Sequence, residues 1–260
     1  MEGIKMVKVA IITGYGINTD YESEEAFRLV GANPVRIHIN DLISGKDNLE
    51  NYQIMMVPGG FSYGDHLGSG KVLANKFRFN LREDLKKFIE ADKLIIGVCN
   101  GFQILVKMGI LPALDGEYFS QSVTITYNKS DQFESRWVSM KPNQKSPCIW
   151  TQNLKTQLDA PVRHGEGNFI PKNQDILRKL WDKNLVAFTY HPNTYPNNPN
   201  GSTDGIAGIC NESGLIFGMM PHPECHLIPQ HHPQWTRNNN PETTGLVIFK
   251  NAVSYAQKKL

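Results

Sequence analysis

Five consecutive residues carry the clearest chemical signal in the chain: Gly97-Val98-Cys99-Asn100-Gly101, placed between the apolar run LIIGV and the helix-like run FQILVKM. A nucleophile with a small residue two before it and two after it, at a strand-to-helix turn, is the pattern of a nucleophile elbow. The small residues let the backbone turn sharply, so the thiol stands exposed above the sheet. The free N–H groups and positive end of the following helix favour a thiolate and an oxyanion. A free cysteine is most often a small buried hydrophobe. The strand before Cys99 and the helix after it favour the nucleophile.

A thiol nucleophile needs a base, and the base needs an acid to hold its tautomer. Met220-Pro221-His222-Pro223-Glu224 supplies both after the apolar run LIFGMM. Residues i and i+2 of an extended segment share a side, and Pro223 biases His222 toward that conformation. Glu224 is then placed to accept the imidazole N–H. A solvated turn with an incidental histidine is the plainer alternative. A metal site is a third, because His222, Glu224, Cys225, His226, His231 and His232 cluster here. Their spacing matches no standard zinc signature, however, and the expectation is no metal.

The oxyanion donors would come from Pro58-Gly59-Gly60-Phe61-Ser62-Tyr63-Gly64-Asp65, which follows the run IMMV. Two glycines at the carboxyl end of a strand permit close backbone approach to a ligand. The N–H of Gly60 can join that of Asn100. An ordinary glycine turn is the alternative. The next residues, GSGKV, resemble a phosphate loop, but Asp65 stands where its first glycine belongs and Val72 where Ser or Thr is required. This is no nucleotide loop.

These groups must be held by a sheet. Short, continuous, β-branched runs at residues 7–13, 54–57, 94–98, 185–190, 205–210 and 215–220 read as buried strands. Helices alternate with them. Thr19 and Glu22 have capping-box spacing before EEAFRLV, with Gly31 at the C-terminal position. Asn80 and Glu83 have it before DLKKFIEA, where Leu85, Phe88 and Ile89 share a face. A helix over 100–108 stops at Gly109, and a last helix over 243–258 presents Leu246, Phe249, Ala252 and Val253. The Pro/Asn-rich segment 190–202 reads as an ordered loop, since strand signals resume after it. The fold class is α/β, a three-layer fold with a mostly parallel sheet, and residues 1–260 read as one domain.

Composition narrows the rest. The chain has 260 residues and a net charge of +2 from 27 basic and 25 acidic groups, which gives no electrostatic case for nucleic acid. No apolar run reaches the roughly 20 residues that span a bilayer, and the first residues lack the pattern of a signal peptide. Four cysteines (99, 148, 210, 225) form no disulfide framework, so a cytoplasmic setting is expected. The sequons at Asn128, Asn200 and Asn211 are expected to be unmodified.

PGGFSYGD, GVCNGFQIL, HGEGNF (164–169), NGSTDGIAGI (200–209) and GMMPHPE, in this order, closely resemble the glutaminase subunits of phosphoribosylformylglycinamidine synthases. These form a branch of the class I (triad) glutamine amidotransferases, with a flavodoxin-like fold. The resemblance runs from about Val7 to the last helix. It implies Cys99 as nucleophile, His222 as base and Glu224 as orienting acid. Gly59, Gly60 and Asn100 would bind substrate through the oxyanion hole, and Gln103 would line the glutamine pocket. His164 matches a signature histidine of no assigned task.

The implied reaction releases ammonia from glutamine through a Cys99 thioester. The ammonia passes to a large synthetase subunit, which uses ATP and Mg to convert formylglycinamide ribonucleotide to the amidine. A small bridging subunit is a further implied partner, and no cofactor is implied in this chain. The segment 193–202 is a candidate docking loop. The chain departs from the family pattern at Cys225, where Arg is usual, and at Ser135, where relatives often carry Cys. Residues 231–245 are longer than in compact bacterial subunits. Two alternatives remain at this level: another cysteine hydrolase of the same fold, such as the intracellular peptidase and deglycase branch, and a non-catalytic regulatory subunit. The order Cys99, His222, Glu224 argues against the first, and the intact triad against the second.

Overall fold

A computed structural model of the chain describes residues 6–237 and 244–260. Strands β1 (Lys8–Thr13), β3 (Ile54–Val57) and β4 (Leu94–Val98) form where the buried β-branched runs predict them. Between them lie α1 (Asp20–Leu29), the edge strand β2 (Asn33–His38), a short α2 (Ile39–Ile43), α3 (Lys71–Asn80) and α4 (Arg82–Glu90). After β4 come α5 (Asn100–Met108), β5 (Val123–Tyr127), β6 (Glu134–Pro142), β7 (Leu158–His164), β8 (Glu166–Pro171) and α6 (Gln174–Asp182). The chain then forms β9 (Val186–Tyr190), β10 (Ile206–Cys210), β11 (Ile216–Met219) and α7 (Leu246–Lys259). Thr243, where the last helix was expected to begin, lies outside the described residues.

One nine-stranded sheet has the order β2-β1-β3-β4-β11-β10-β9-β6-β7, and β5 pairs with β8 separately. The pairs from β2 to β11 are parallel, and those from β11 to β7 are antiparallel. The apolar runs reveal the parallel half apart from its edge strand β2, and β9 and β10 of the antiparallel half. Within the parallel half, β1 to β2 and β3 to β4 step outward in opposite directions. Right-handed crossovers therefore put α1 on one face and α3 and α4 on the other, giving the three layers. Phe27 of α1 meets Phe249 of α7 edge-on, ring centroids 5.0 Å apart, within one helical layer.

In the antiparallel half, β6 and β7 were unread for a physical reason. In β6, Glu134, Val138 and Met140 are buried while Ser135 and Lys141 are exposed. A search for continuous apolar runs passes over such a strand. Register shifts at Ile206, Gly208 and Ile209 interrupt the β9–β10 pairing, and irregularities of this kind bend a sheet. The far strand β7 consequently returns to the centre: Pro161 accepts a hydrogen bond from the His222 N–H at 2.8 Å.

Both expected capping boxes are corrected. Thr19 makes no side-chain cap on α1; its hydroxyl instead accepts from the Gly59 N–H at 2.9 Å. Asn80 ends α3 rather than starting α4, and its amide donates to the Lys76 carbonyl. Gly31 and Gly109 do take the positive φ expected after a helix, 80° and 77°. All three sequon asparagines are at most 1% exposed, which no glycan-bearing side chain in this fold could be. Among the described residues no helix is long and apolar enough to cross a membrane.

Candidate active site

Strands β4 and β11 end side by side, with Val98 paired to Met219. The next residue on β4 is Cys99, whose N–H donates to the Met219 carbonyl at 2.8 Å. Here the chain makes the sharp turn the glycine pattern predicts: Cys99 has φ 51° and ψ −108°, and α5 starts at the following residue. Gly101 is obligatory for this turn, because a Cβ there would sit 1.8 Å from the Val57 carbonyl oxygen of β3. The thiol is 4% exposed, with its Sγ 3.8 Å from the Arg163 carbonyl oxygen at the end of β7.

His222 and Glu224 follow β11, and both are buried. The imidazole Nδ1–H donates to Glu224 Oε1 at 2.5 Å, which fixes the tautomer and leaves Nε2 as the free nitrogen. Nε2 is buried without a hydrogen-bond partner. Burial opposes charge on this ring, but Glu224 and then Cys99 outweigh it and push the imidazole up to about 10. A ring with this affinity and a vacant Nε2 beside a thiol is built to take a proton from it.

The glycine loop reaches the same point. A Cβ on Gly59 would lie 2.6 Å from His222 Cε1, 3.1 Å from Thr19 Oγ1 and 3.4 Å from Cys99 Cβ. Gly60 has φ 148° and is pressed against Gly16 and Ile17, where a Cβ would come within 2.4 Å of the Gly16 carbonyl oxygen. The Asn100 side chain ties loop to elbow: its Oδ1 accepts from the Ser62 N–H, and its Nδ2 donates to Asp65 and to Gln103. Gln103 in turn donates to the Glu166 carbonyl oxygen at 2.5 Å. Gln103 therefore anchors the segment after β7 as well as lying one turn beyond the elbow.

The structure takes the histidine-rich cluster apart. Ligand atoms of His222, Glu224 and Cys225 lie within 4.8 Å of one another, but Arg163 Nη2 is 2.7 Å from Cys225 Sγ. A guanidinium there repels a cation, and burial pushes the Cys225 thiol up. His226 donates to the Asp159 carbonyl oxygen, and its ring and that of His232 both meet Trp137 edge-on. Ser135 and Cys225, the two departures from the family pattern, line one cavity of about 360 Å³ together with Trp137 and Arg163.

Several site residues escaped the sequence reading. Thr19 looked like a helix cap, Asn128 and Asn200 like chance sequons, and Tyr190 like the end of a strand. Asn128 and Asn200 both meet the ring of His164, which is 2% exposed, and Tyr190 joins them through Asn200. The loop over 190–202 divides accordingly: residues 191–196 are exposed, while Asn198, Asn200 and Ser202 turn inward.

Comparison with known proteins bears on this geometry. The family described as "CobB/CobQ-like glutamine amidotransferase domain" matches residues 6–256. The chain is 43% identical to phosphoribosylformylglycinamidine synthase subunit PurQ of Dehalococcoides mccartyi, covering 97% of this chain and 98% of that one. It is 41% identical to the protein of the same name from Methanococcus maripaludis, over 98% and 100% of the two chains. A solved structure of PurLQS from Thermotoga maritima superposes with a TM-score of 0.72 at 27% identity, covering 96% of this chain and 99% of that one.

Proposed function

The chain belongs to the CobB/CobQ-like glutamine amidotransferase family as the glutaminase subunit of phosphoribosylformylglycinamidine synthase, and from that premise we propose that Cys99, His222 and Glu224 are its catalytic triad. It is a component of a purine-biosynthetic enzyme and associates with the other subunits of that synthase. The observation that carries the triad is the vacant, buried His222 Nε2, held by Glu224 on one side and set beside Cys99 on the other.

In this reading His222 takes the Cys99 proton, and the sulfur attacks the carboxamide carbon of glutamine. Charge develops on the amide oxygen, where the N–H groups of Gly60 and Asn100 hold it; losing one such donor typically costs about 10²–10³ in rate. His222 then gives its proton to the departing ammonia, leaving a glutamyl thioester, and activates water to release glutamate. Gln103 borders the glutamine pocket. Ammonia passes uncharged to the large synthetase subunit, which supplies ATP and Mg chemistry. A small bridging subunit completes the complex, and the assembly works in the cytoplasm.

Intact-mass labelling with an electrophilic glutamine analogue, with and without the synthetase subunit, tests the assignment. One adduct on the wild-type chain and none on Cys99→Ser is the expected result. Partner-dependent labelling would add that the site is gated. Absence of an adduct under both conditions would overturn the triad and favour a regulatory role.

A further inference from the structure

The loop after β3 is clasped from two sides. On one side lies the stretch from Tyr15 to Thr19, between β1 and α1; on the other lies the elbow at Cys99 and Asn100. The N–H groups of the loop alternate between them. Those of Gly59, Phe61 and Tyr63 go to the first side: to Thr19 Oγ1 at 2.9 Å, the Gly16 carbonyl at 2.7 Å and the Tyr15 carbonyl at 2.8 Å. That of Ser62 goes to the elbow, to Asn100 Oδ1 at 3.1 Å. Ile17 and Gly60 face each other in an antiparallel bridge, and they are its non-hydrogen-bonded pair, so their polar groups point away from one another. The Gly60 N–H therefore turns to the elbow side, as that of Ser62 does.

The peptide between Gly59 and Gly60 gives the same answer independently. Its carbonyl accepts from the N–H groups of Asn18 at 3.1 Å and Thr19 at 3.4 Å. In a trans peptide the N–H points opposite to the C=O, so the Gly60 N–H leaves on the far side from Thr19. No acceptor takes it among the described residues. Gly59 has no side chain to hold its dihedrals and is fixed only through its two flanking peptides. The backbone of Asn18 and Thr19 holds its carbonyl, and the Thr19 hydroxyl holds its N–H. Thr19 is itself seated in the first turn of α1, where its carbonyl accepts from the Ser23 N–H at 3.1 Å and the Ser23 hydroxyl at 2.7 Å. Both residues are buried. A threonine at the start of a helix ordinarily caps it, yet α1 has no side-chain cap. The hydroxyl is given to the glycine loop instead, and a local rule broken in this way marks a functional position.

We propose that Thr19 is a positioning residue of the oxyanion hole: its hydroxyl pins Gly59, so that the Gly60 N–H stands aimed at the elbow before glutamine arrives. The inference rests on the reading of Cys99 as nucleophile and Gly60 as oxyanion donor. A donor fixed in advance needs no reorganisation when charge develops on the substrate oxygen. Released at its N–H, Gly59 can rotate, and the Gly60 N–H swings out of line.

Two measurements on the assembled synthase test this: glutamate release, and affinity for glutamate γ-semialdehyde. With the aldehyde, the Cys99 sulfur bonds to the carbonyl carbon, the π pair moves onto the oxygen, and the thiol proton passes to His222. Nothing leaves, so the adduct keeps a tetrahedral oxygen in the hole. Thr19→Val preserves the shape of the side chain and removes the acceptor. Its kcat should fall about tenfold, a part of the 10²–10³ lost with a whole donor. KM for glutamine should stay within about twofold, because the contact strengthens only as charge develops. Affinity for the aldehyde should fall by the same factor as kcat, and Thr19→Ser, which keeps the hydroxyl, should restore both. Should Thr19→Val not fold, Thr19→Ala removes the same acceptor with less bulk and is read in the same way. Wild-type kcat in a folded Thr19→Val chain would overturn the inference. Equal losses in the Val and Ser variants would mark a structural role and overturn it too. A raised KM at unchanged kcat would make Thr19 a direct glutamine contact, again overturning it. Glutamate release that survives Cys99→Ser at the wild-type rate would overturn the nucleophile reading and the inference together.

Discussion

Gly59 lacks a side chain because three groups already claim the space around its Cα. An added methyl would press on His222 Cε1 at 2.6 Å, with Thr19 Oγ1 and Cys99 Cβ close behind. The ring cannot swing away freely, since Nδ1 is held by Glu224. Gly59→Ala should therefore move the base relative to the thiol while the fold survives. Acid–base catalysis by one positioned group contributes about 10²–10⁴ in rate, so glutamate release by the assembled synthase should fall by about that range. Urea unfolding of the variant should show a loss of only about 1–3 kcal/mol, the usual cost of overpacking. A kcat within threefold of wild type would show that the imidazole is not confined as described. At this scale the grouping of Cys99, His222 and Glu224 was legible because the chemistry expected of them dictates residue type and local spacing. Thr19 and Asn128 were not, because each acts through a partner far away in sequence: Gly59 lies 40 residues from Thr19, and His164 lies 36 residues from Asn128.

The element that aims Cys99 is the β4–α5 junction, and its fit depends on β3. Gly101 sits so close to β3 that a Cβ would lie 1.8 Å from the Val57 carbonyl oxygen and 2.7 Å from its carbon. These are backbone atoms of a fully buried strand, which no rotamer change can move. Gly101→Ala must shift either α5 or β3, and it should destabilise the chain by about 3 kcal/mol or more. Chemical unfolding would read this as a lower midpoint, with labelling of Cys99 lost in parallel. Retention of wild-type stability would mean that the junction is looser than its geometry implies. The parallel strands and α5 were readable because burial on both faces leaves continuous apolar runs and glycine marks the helix end. The antiparallel strands β6 and β7 were not, since one-sided burial spreads their apolar residues among Ser139, Lys141 and Asp159. Strand β7 is what carries His164 beside Asn128 and Asn200, and its absence from the sequence reading is the reason this polar network went unseen.

For the whole molecule, two buried histidines of opposite character shape the dependence of stability on pH. His164 falls to about 3 in the folded chain through burial and the nearby His222, against about 6.5 when unfolded. The unfolded chain therefore binds the extra proton, and stability is lost as pH falls from 6.5 toward 3. His226, also lowered by burial, acts with the same sign. The carboxyl of Asp65 is raised by burial and blunts this limb only near its acid end. His222 stands at about 10 when folded, because Glu224 and Cys99 outweigh its burial. Here the folded chain binds the extra proton, and the stability it contributes below 6.5 is lost as pH rises through that window. One proton of difference corresponds to a slope of about 1.4 kcal/mol per pH unit. Unfolding free energy measured by urea from pH 4.5 to 9 should therefore peak near 6.5 and fall on both sides. His164→Asn should flatten the acid limb by about one proton's slope, and Glu224→Gln should flatten the basic limb while leaving the acid one intact. A single monotonic profile, or two variants that change the same limb, would contradict the charge states assigned to these rings.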